Sequence, residues 1–169
     1  MPAGRIHDRI TLWSLPWVAG CSFAFSRDSK LTLLLCGAFL FAGLMFGPDL
    51  DISSRQFKRW GWLKCIWIPY QKSMRHRSFL SHGPGVGTVL RLVYLGAWMS
   101  MPVILGLAVV SQFHPLPWNW PFILRTVARS LGEHRAECLV IWIGLELGAM
   151  SHSLSDWGGS FLKRSRKRR

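Results

Sequence analysis

Two histidines, His76 and His82, lie six residues apart in a segment that ends at Gly83-Pro84. Six positions turn a helix by about 600°, so on one helix the two rings would not share a face. The Gly-Pro pair interrupts regular structure and predicts a bend, on which both imidazoles converge more easily. Two imidazoles with nearby hydroxyl groups on such a bend indicate a site-forming loop.

Carboxylates that could join these imidazoles are scarce, because the chain has 8 acids against 21 lysines and arginines. Two of the acids lie in Pro48-Asp49-Leu50-Asp51, and Asp8 directly follows His7. Asp156 follows His152 by four positions, so the two side chains would share a helix face. Oxygen and imidazole donors without thiolate ligands suit zinc first, with manganese, iron or magnesium as alternatives. The predicted ligands of a divalent metal are His7, Asp49, Asp51, His76, His82, His152 and Asp156.

Each of these residues also has an ordinary structural interpretation. Asp49 and Asp51 would cap a helix end, although their place after Gly47-Pro48, in a stretch with seven cations, favours ligands. For His7, the interpretation as a metal ligand and the interpretation as an ordinary polar residue near the start of the chain are equally supported. Arg77 is either an ordinary interfacial cation or a residue whose guanidinium holds an anionic substrate beside the metal. In the second interpretation, Arg77 and Asp51 are the predicted catalytic residues. Glu146 would pair with Arg91 or support the metal from outside its ligand shell.

The composition indicates a membrane protein of a single domain. Of the 169 residues, 50% are hydrophobic, 17% are charged and ten are tryptophan, whereas about 25% charged residues is usual for soluble proteins. The formal charge of +13 calls for an anionic partner, and the apolar runs favour phospholipid headgroups over nucleic acid. The four cysteines lack C-x-x-C spacing and are predicted to be reduced.

Four uncharged or nearly uncharged runs predict an all-α, multi-pass helical bundle of about four spans. These runs are residues 10–25, 31–46, 92–113 and 138–154. The basic and aromatic stretch 49–88 is predicted to lie in the headgroup layer, and 122–137 to lie along the surface. Residues 1–160 form the predicted domain and 161–169 a basic tail. A signal peptide ending near Cys21 is the weaker interpretation of the first run, because Pro16 interrupts it.

The distribution of positive charge predicts the orientation. If all four runs cross, fifteen lysines and arginines collect on one side and five on the other. This bias places both termini in the cytoplasm of a plasma or inner membrane. All seven predicted metal ligands then fall on the same cytoplasmic face, although the count of cations does not require it.

Several motifs together resemble a family of uncharacterised metal-binding membrane proteins. They are Ala3-Gly4-Arg5-Ile6-His7-Asp8-Arg9-Ile10-Thr11, Pro48-Asp49-Leu50-Asp51, Arg59-Trp60-Gly61, His76-Arg77-Ser78-x-x-Ser81-His82-Gly83 and Ser151-His152-x-x-x-Asp156-Trp157. That family is similar to predicted inner-membrane metal-dependent hydrolases, and more distantly to zinc-dependent phospholipases C and related nucleases. The resemblance implies metal binding and, through these relatives, hydrolase activity. The second His-x-x-x-Glu pair of the phospholipases is missing, so a trinuclear zinc centre is not implied.

The first functional hypothesis is a metal-dependent hydrolase of a phosphate ester, such as a lipid headgroup, at the cytoplasmic face. A bound metal would lower the pKa of a water molecule and polarise the phosphoryl oxygen. The alternative is a non-catalytic scaffold in which the metal only stabilises the helices and the basic face docks a partner or anionic lipid. A metal transporter is disfavoured because Glu146 is the one acid within the predicted spans.

Overall fold

The computed structural model describes residues 4–76, 78–114 and 120–167, and after Ser155 it describes only the side chain of Trp157. Within these ranges the chain is all-helical, as predicted. Short 3₁₀ turns cover Pro48–Asp51 and Gly61–Ile66. The α-helices are α1 (Gly4–Ser26), α2 (Ser29–Leu44), α3 (Arg55–Lys58), α4 (Trp67–Ser73), α5 (Phe79–His82), α6 (Val86–Phe113), α7 (Trp120–Glu133) and α8 (Arg135–Lys167).

Helix α2 lies at the centre and packs against both α1 and α8. Its partner α8 approaches closely because Gly148 carries no side chain. A Cβ atom there would lie 2.4 Å from the carbonyl oxygen of Phe39 and 2.8 Å from the Cβ of Ala42. Gly144, one turn earlier, contacts α2 in the same way. Small residues four positions apart allow the backbones of two helices to approach closely. This kind of packing is common between membrane helices, because in lipid the burial of apolar side chains does not by itself favour association.

Helix α1 runs antiparallel to α2 after a two-residue connection. Thr11 of α1 fills the space above Gly43 of α2, where a Cβ would lie 2.5 Å from the Thr11 methyl carbon. Asp28 begins α2 by accepting a hydrogen bond from the backbone nitrogen of Leu31 at 3.1 Å. The N-terminal end of α1 and the C-terminal end of α2 are therefore held side by side.

The segment between α2 and α6 forms a small aromatic core, which differs from the predicted headgroup layer. Trp67 and Tyr70 are completely buried and pack with Phe46 and Leu50. Trp62, by contrast, is 82% exposed. The prediction of a wholly interfacial stretch was wrong for these two rings, because rings on the short helix α4 turn inward onto the end of α2.

Three helical segments are long and apolar enough to cross a membrane within the described ranges. They are Ser29–Asp51, Val86–Phe113 and Arg135–Ser155. They match the second, third and fourth predicted spans. The first predicted span, 10–25, lies within α1, which is not among them although it packs along α2 and α8. The predicted tail begins as a continuation of α8, which extends to Lys167.

Helix α6 packs on the aromatic core through Leu90, Tyr94 and Leu95, whereas its second half and α7 are exposed. The buried residues of α6 are Gly87, Thr88 and Arg91, all within its first two turns. At 28 residues, α6 is about 42 Å long. Helix α7 packs on α8 and buries none of its residues.

Candidate metal centre

The two aspartates lie on the 3₁₀ turn that follows α2. Pro48 stops helix α2 and begins the turn Pro48–Asp51. Gln71 of α4 braces the turn, since its side-chain nitrogen donates to the carbonyl oxygens of Leu50 at 3.1 Å and Ile52 at 2.9 Å. Neighbouring residues on such a turn point in different directions, and the side chain of Asp51 is fully buried while that of Asp49 is 19% exposed.

The end of α2 is fixed by side chains from the segment that follows. The last carbonyl oxygens of a helix lack partners within it. Gln56 donates to Gly43 at 3.0 Å, Arg59 to Leu44 at 2.8 Å, and Trp60 to Met45 at 2.9 Å. These bonds explain the Arg59-Trp60 motif as a clamp that holds the aspartate turn on the end of α2.

His76 points one nitrogen at Asp51. The Nδ1 of His76 and the Oδ1 of Asp51 are 2.9 Å apart. An ionised carboxylate only accepts hydrogen bonds, so His76 donates through Nδ1 and keeps a lone pair on Nε2. That Nε2 is buried and has no protein hydrogen-bond partner in the described part of the chain. A carboxylate behind an imidazole in this manner is typical of metal-binding histidines.

His82 is oriented in a similar way by its neighbour Ser81. The Nδ1 of His82 lies 2.8 Å from the Oγ of Ser81, and the Ser81 hydroxyl can donate onward to the carbonyl oxygen of Ser78 at 3.3 Å. When the Ser81 hydroxyl donates to Ser78, the neutral His82 ring donates through Nδ1, and the lone pair on its Nε2 is available to a metal. The predicted bend is present: His76 lies in a turn, His82 ends α5, and the two ring centroids are 5.3 Å apart.

Helix α5, which carries Ser81, is tied to α6 by a buried arginine. Arg91 is 1% exposed and donates to the backbone oxygen of Ser81 and to the hydroxyl of Thr88, both at 3.0 Å. Ser78 caps α5 by accepting from the backbone nitrogen of Ser81 at 3.3 Å. Arg91 therefore fixes the position of Ser81 and His82 relative to α6.

His152 reaches the site from α8, one turn after Gly148. Its Nε2 lies 3.1 Å from the Oδ2 of Asp49. The ring of His152 stacks on that of His7, with centroids 4.0 Å apart, and the Nδ1 of His7 bonds to the hydroxyl of Ser155. The close packing of α1, α2 and α8 thus brings residues from both ends of the chain to the aspartate turn.

Asp8, the neighbour of His7, lies beside this group but is engaged by two arginines. Its carboxylate accepts from Arg55 at 2.7 Å and from both terminal nitrogens of Arg59, at 2.9 and 2.7 Å. The pair of arginines uses both oxygens of Asp8 to bind the start of α1 to the clamp on α2. This acid has a structural role, whereas the sequence grouped it with the metal-site acids.

Three residues can each direct one ligand atom to a common point. For Asp49, His76 and His82, these atoms all lie within 4.8 Å of one another. The donors fit a divalent cation because the Nε2 atoms of both histidines have no hydrogen-bond partner among the described residues, and the Oδ1 of Asp49 lies 3.9 Å from the Nε2 of His82. Burial lowers the pKa of His82, with Asp51 and Asp49 acting in the opposite direction, which favours the neutral ring that a metal requires.

Of the predicted site residues, the structure brings together Asp49, Asp51, His76, His82 and His152, with His7 stacked behind the last of them. Arg77 and the side chain of Asp156 lie outside the described residues. Ser81 was missed as a functional residue, although its place next to His82 within the motif was a usable signal. Glu146 does not reach Arg91 by a hydrogen bond but accepts one from the backbone nitrogen of Gly85 at 2.8 Å.

The chain is similar to an uncharacterised protein of Aquifex aeolicus (strain VF5), with 38% identity over 58 residues. The match spans 34% of this chain and 40% of that protein. No solved structure matches the chain. A family described as "Uncharacterized metal-binding protein (DUF2227)" matches residues 2–166, which include every described residue of the candidate metal centre. The chain therefore belongs to this metal-binding family.

Proposed function

We propose that this protein is a metal-dependent hydrolase of a phosphate ester, acting at the cytoplasmic face of a membrane. The observation that carries the proposal is the open ligand set of Asp49, His76 and His82. Three ligands from the described residues leave coordination positions for water and substrate, whereas structural zinc sites close the shell with four. A cation held there would polarise a phosphoryl oxygen and make a water molecule more acidic.

The surrounding residues receive roles from their contacts. Asp51 positions His76, and Ser81 positions His82, because each engages the Nδ1 atom of the ring and leaves the Nε2 atom without a hydrogen-bond partner among the described residues. His152 lies against the second oxygen of Asp49 and would hold that carboxylate or share a second cation with it. Asp156 keeps its predicted role at a second metal or in the surrounding shell, and Arg77 keeps its predicted role as the cation that faces the substrate.

Zinc is the proposed metal. Two imidazoles and a carboxylate are also the ligands of many non-haem iron sites, so manganese, iron and magnesium stay as alternatives for metal analysis. The absence of a thiolate from the described ligand group agrees with all of these metals.

The membrane location is supported by three long apolar helices. The site lies at the ends of two of them, Ser29–Asp51 and Arg135–Ser155, and near the start of the third. Arginines and lysines accumulate at this end, which favours the cytoplasmic side and contact with anionic headgroups. Nucleic acid is not a proposed partner.

Metal content and hydrolysis should be measured on the same purified protein. We expect about one metal ion or more per chain, and hydrolysis of bis-p-nitrophenyl phosphate that chelation abolishes and added zinc restores. His82→Ala should lose both metal and activity, while His114→Ala, at an exposed position just beyond the far end of α6, should keep both. A protein that keeps its metal, has no activity on any phosphate ester and melts when chelated would instead be the non-catalytic scaffold.

A further inference from the structure

A cleft adjoins the metal centre at His82. Its volume is about 230 Å³, and it lies between the α5–α6 junction and α8. Ser81 and His82 form one end of the cleft, and Arg91 and Glu146 contribute charged groups to its lining. The cleft therefore shares one residue with the candidate ligand group but extends well beyond it.

Glu146 is the unusual member of this lining. One carboxylate oxygen accepts the backbone hydrogen bond from Gly85, whereas Oε2 is buried and has no hydrogen-bond partner in the described part of the chain. Glu146 lies six residues before His152 on α8, or about 9 Å deeper along the helix. An acid at such a depth in a membrane helix is costly and marks a functional site by default.

The cleft carries one charged group of each sign, because both Glu146 and the buried Arg91 line it. A cleft that holds one carboxylate and one guanidinium has no excess negative charge that would select a cationic ligand. What Oε2 lacks is a neutral hydrogen-bond donor, such as a hydroxyl group.

Apart from Thr88 and Ser153, the rest of the cleft is apolar. Ala149, Met150, Leu154 and Trp157 line it from α8, and Pro48 lines it from the aspartate turn. The charged and polar groups thus lie beside the metal centre and around Glu146. The side chains of α8 form an apolar wall that would contact the hydrocarbon part of a ligand. This division fits an amphiphilic ligand better than a soluble one.

We propose that the cleft binds the headgroup of an amphiphilic phosphate ester that carries a hydroxyl group, and that Glu146 recognises this hydroxyl. This proposal rests on the proposed function, because it names the substrate class of the same site. In this arrangement the phosphate lies towards His82, the hydroxyl donates to Glu146, and the chains follow the apolar wall of α8. Glu146 is a specificity residue and takes no part in bond cleavage.

Binding of three short-chain ligands to the full chain tests the proposal. Dihexanoyl phosphatidylglycerol has the hydroxylated headgroup, dihexanoyl phosphatidic acid lacks it, and glycerol 3-phosphate lacks the chains. Titration calorimetry in detergent should show phosphatidylglycerol binding on the order of tenfold more tightly than phosphatidic acid, the size of one hydrogen bond to a charged acceptor. Glycerol 3-phosphate should bind more weakly than phosphatidylglycerol; equal binding would overturn the amphiphile assignment.

Glu146→Gln is the decisive variant. It can still accept from Gly85 but places an NH₂ group where Oε2 stood, so it should lose the preference for phosphatidylglycerol and keep its affinity for phosphatidic acid. Glu137→Gln, an acid of the same helix that binds Lys30 on the surface, should leave the preference unchanged. A preference retained in Glu146→Gln would overturn the proposal. If that variant fails to fold, Met150→Trp, which fills the cleft without changing charge, should weaken phosphatidylglycerol binding; unchanged binding would count against the cleft.

The two proposals fail separately. Selective binding of phosphatidylglycerol without any hydrolysis would contradict the hydrolase and leave the cleft standing. Hydrolysis of phosphate esters without selectivity for the hydroxyl would contradict the cleft and leave the hydrolase standing.

Discussion

The Nδ1 of His76 lies 2.9 Å from the Oδ1 of Asp51, whose side chain is fully buried. Asp51 therefore meets the side of the imidazole opposite to the nitrogen that is free to bind a metal. Asp49, two residues earlier, instead belongs to the group whose ligand atoms converge. Two aspartates of the same motif thus have different positions relative to the candidate cation.

This difference predicts unequal effects of two matched substitutions. Asp49→Asn removes a ligand charge, whereas Asp51→Asn keeps an oxygen that can accept from His76. We expect Asp51→Asn to weaken metal binding by roughly 10- to 100-fold, as loss of an orienting carboxylate does, and Asp49→Asn to weaken it more. Competition with a chromogenic chelator measures both constants. Equal losses, or a larger loss in Asp51→Asn, would contradict the assignment of Asp49 as ligand and Asp51 as orienting group.

Ser81 should matter for metal binding although its own side chain binds no metal. Ser81→Ala removes the hydroxyl that is hydrogen-bonded to the Nδ1 of His82, so the ring is less well oriented, and we expect a loss of about 10-fold or more in metal affinity. Ser100→Ala, which removes an exposed helical hydroxyl on α6, is the control and should change nothing. Normal zinc binding by Ser81→Ala would show that the hydroxyl is dispensable.

The close contact of α2 and α8 predicts opposite outcomes for two glycine substitutions. Gly148→Ala places a Cβ 2.4 Å from the Phe39 carbonyl oxygen, so the helices must separate, at a cost of about 1–3 kcal/mol. Gly106→Ala on α6 meets no atom within 4 Å and should stabilise the helix slightly. Thermal unfolding in detergent measures both changes.

Gly148→Ala should also weaken metal binding, because His152 follows Gly148 by one turn and would move with α8. The metal affinity of the folded variant is measured well below its unfolding temperature. A stable Gly148→Ala protein with normal affinity would show that the helix contact does not position the site.

The stacking of His7 on His152 predicts that the ends of α1 and α8 lie on one side of the membrane. The excess of lysine and arginine on that side predicts that it is the cytoplasmic one. A fluorescent reporter that works only in the cytoplasm should be active when fused before Met1 and after Arg169. Activity of a periplasmic reporter at either end would contradict this orientation.

The sequence by itself determined the helical class, the apolar segments and the grouping of the site residues. Apolar runs long enough to cross a bilayer leave few structures besides helices, because backbone groups in lipid must bond within their own segment. The Gly83-Pro84 break and the spacing of His76 and His82 predicted the bend that is present. These are local properties, decided by neighbours along the chain.

Only the tertiary structure decided which groups face each other. On a 3₁₀ turn, side chains two positions apart point in different directions, so Asp49 and Asp51 have different surroundings. Nothing in their residue type distinguishes them. Trp67 and Tyr70 have the composition of interfacial residues, yet they are buried because α4 folds back onto the end of α2. Gly144 and Gly148 bring α8 against α2 only because small residues on α2 face them. Such contacts join residues far apart in the sequence, and their energies depend on distances that arise when the helices pack.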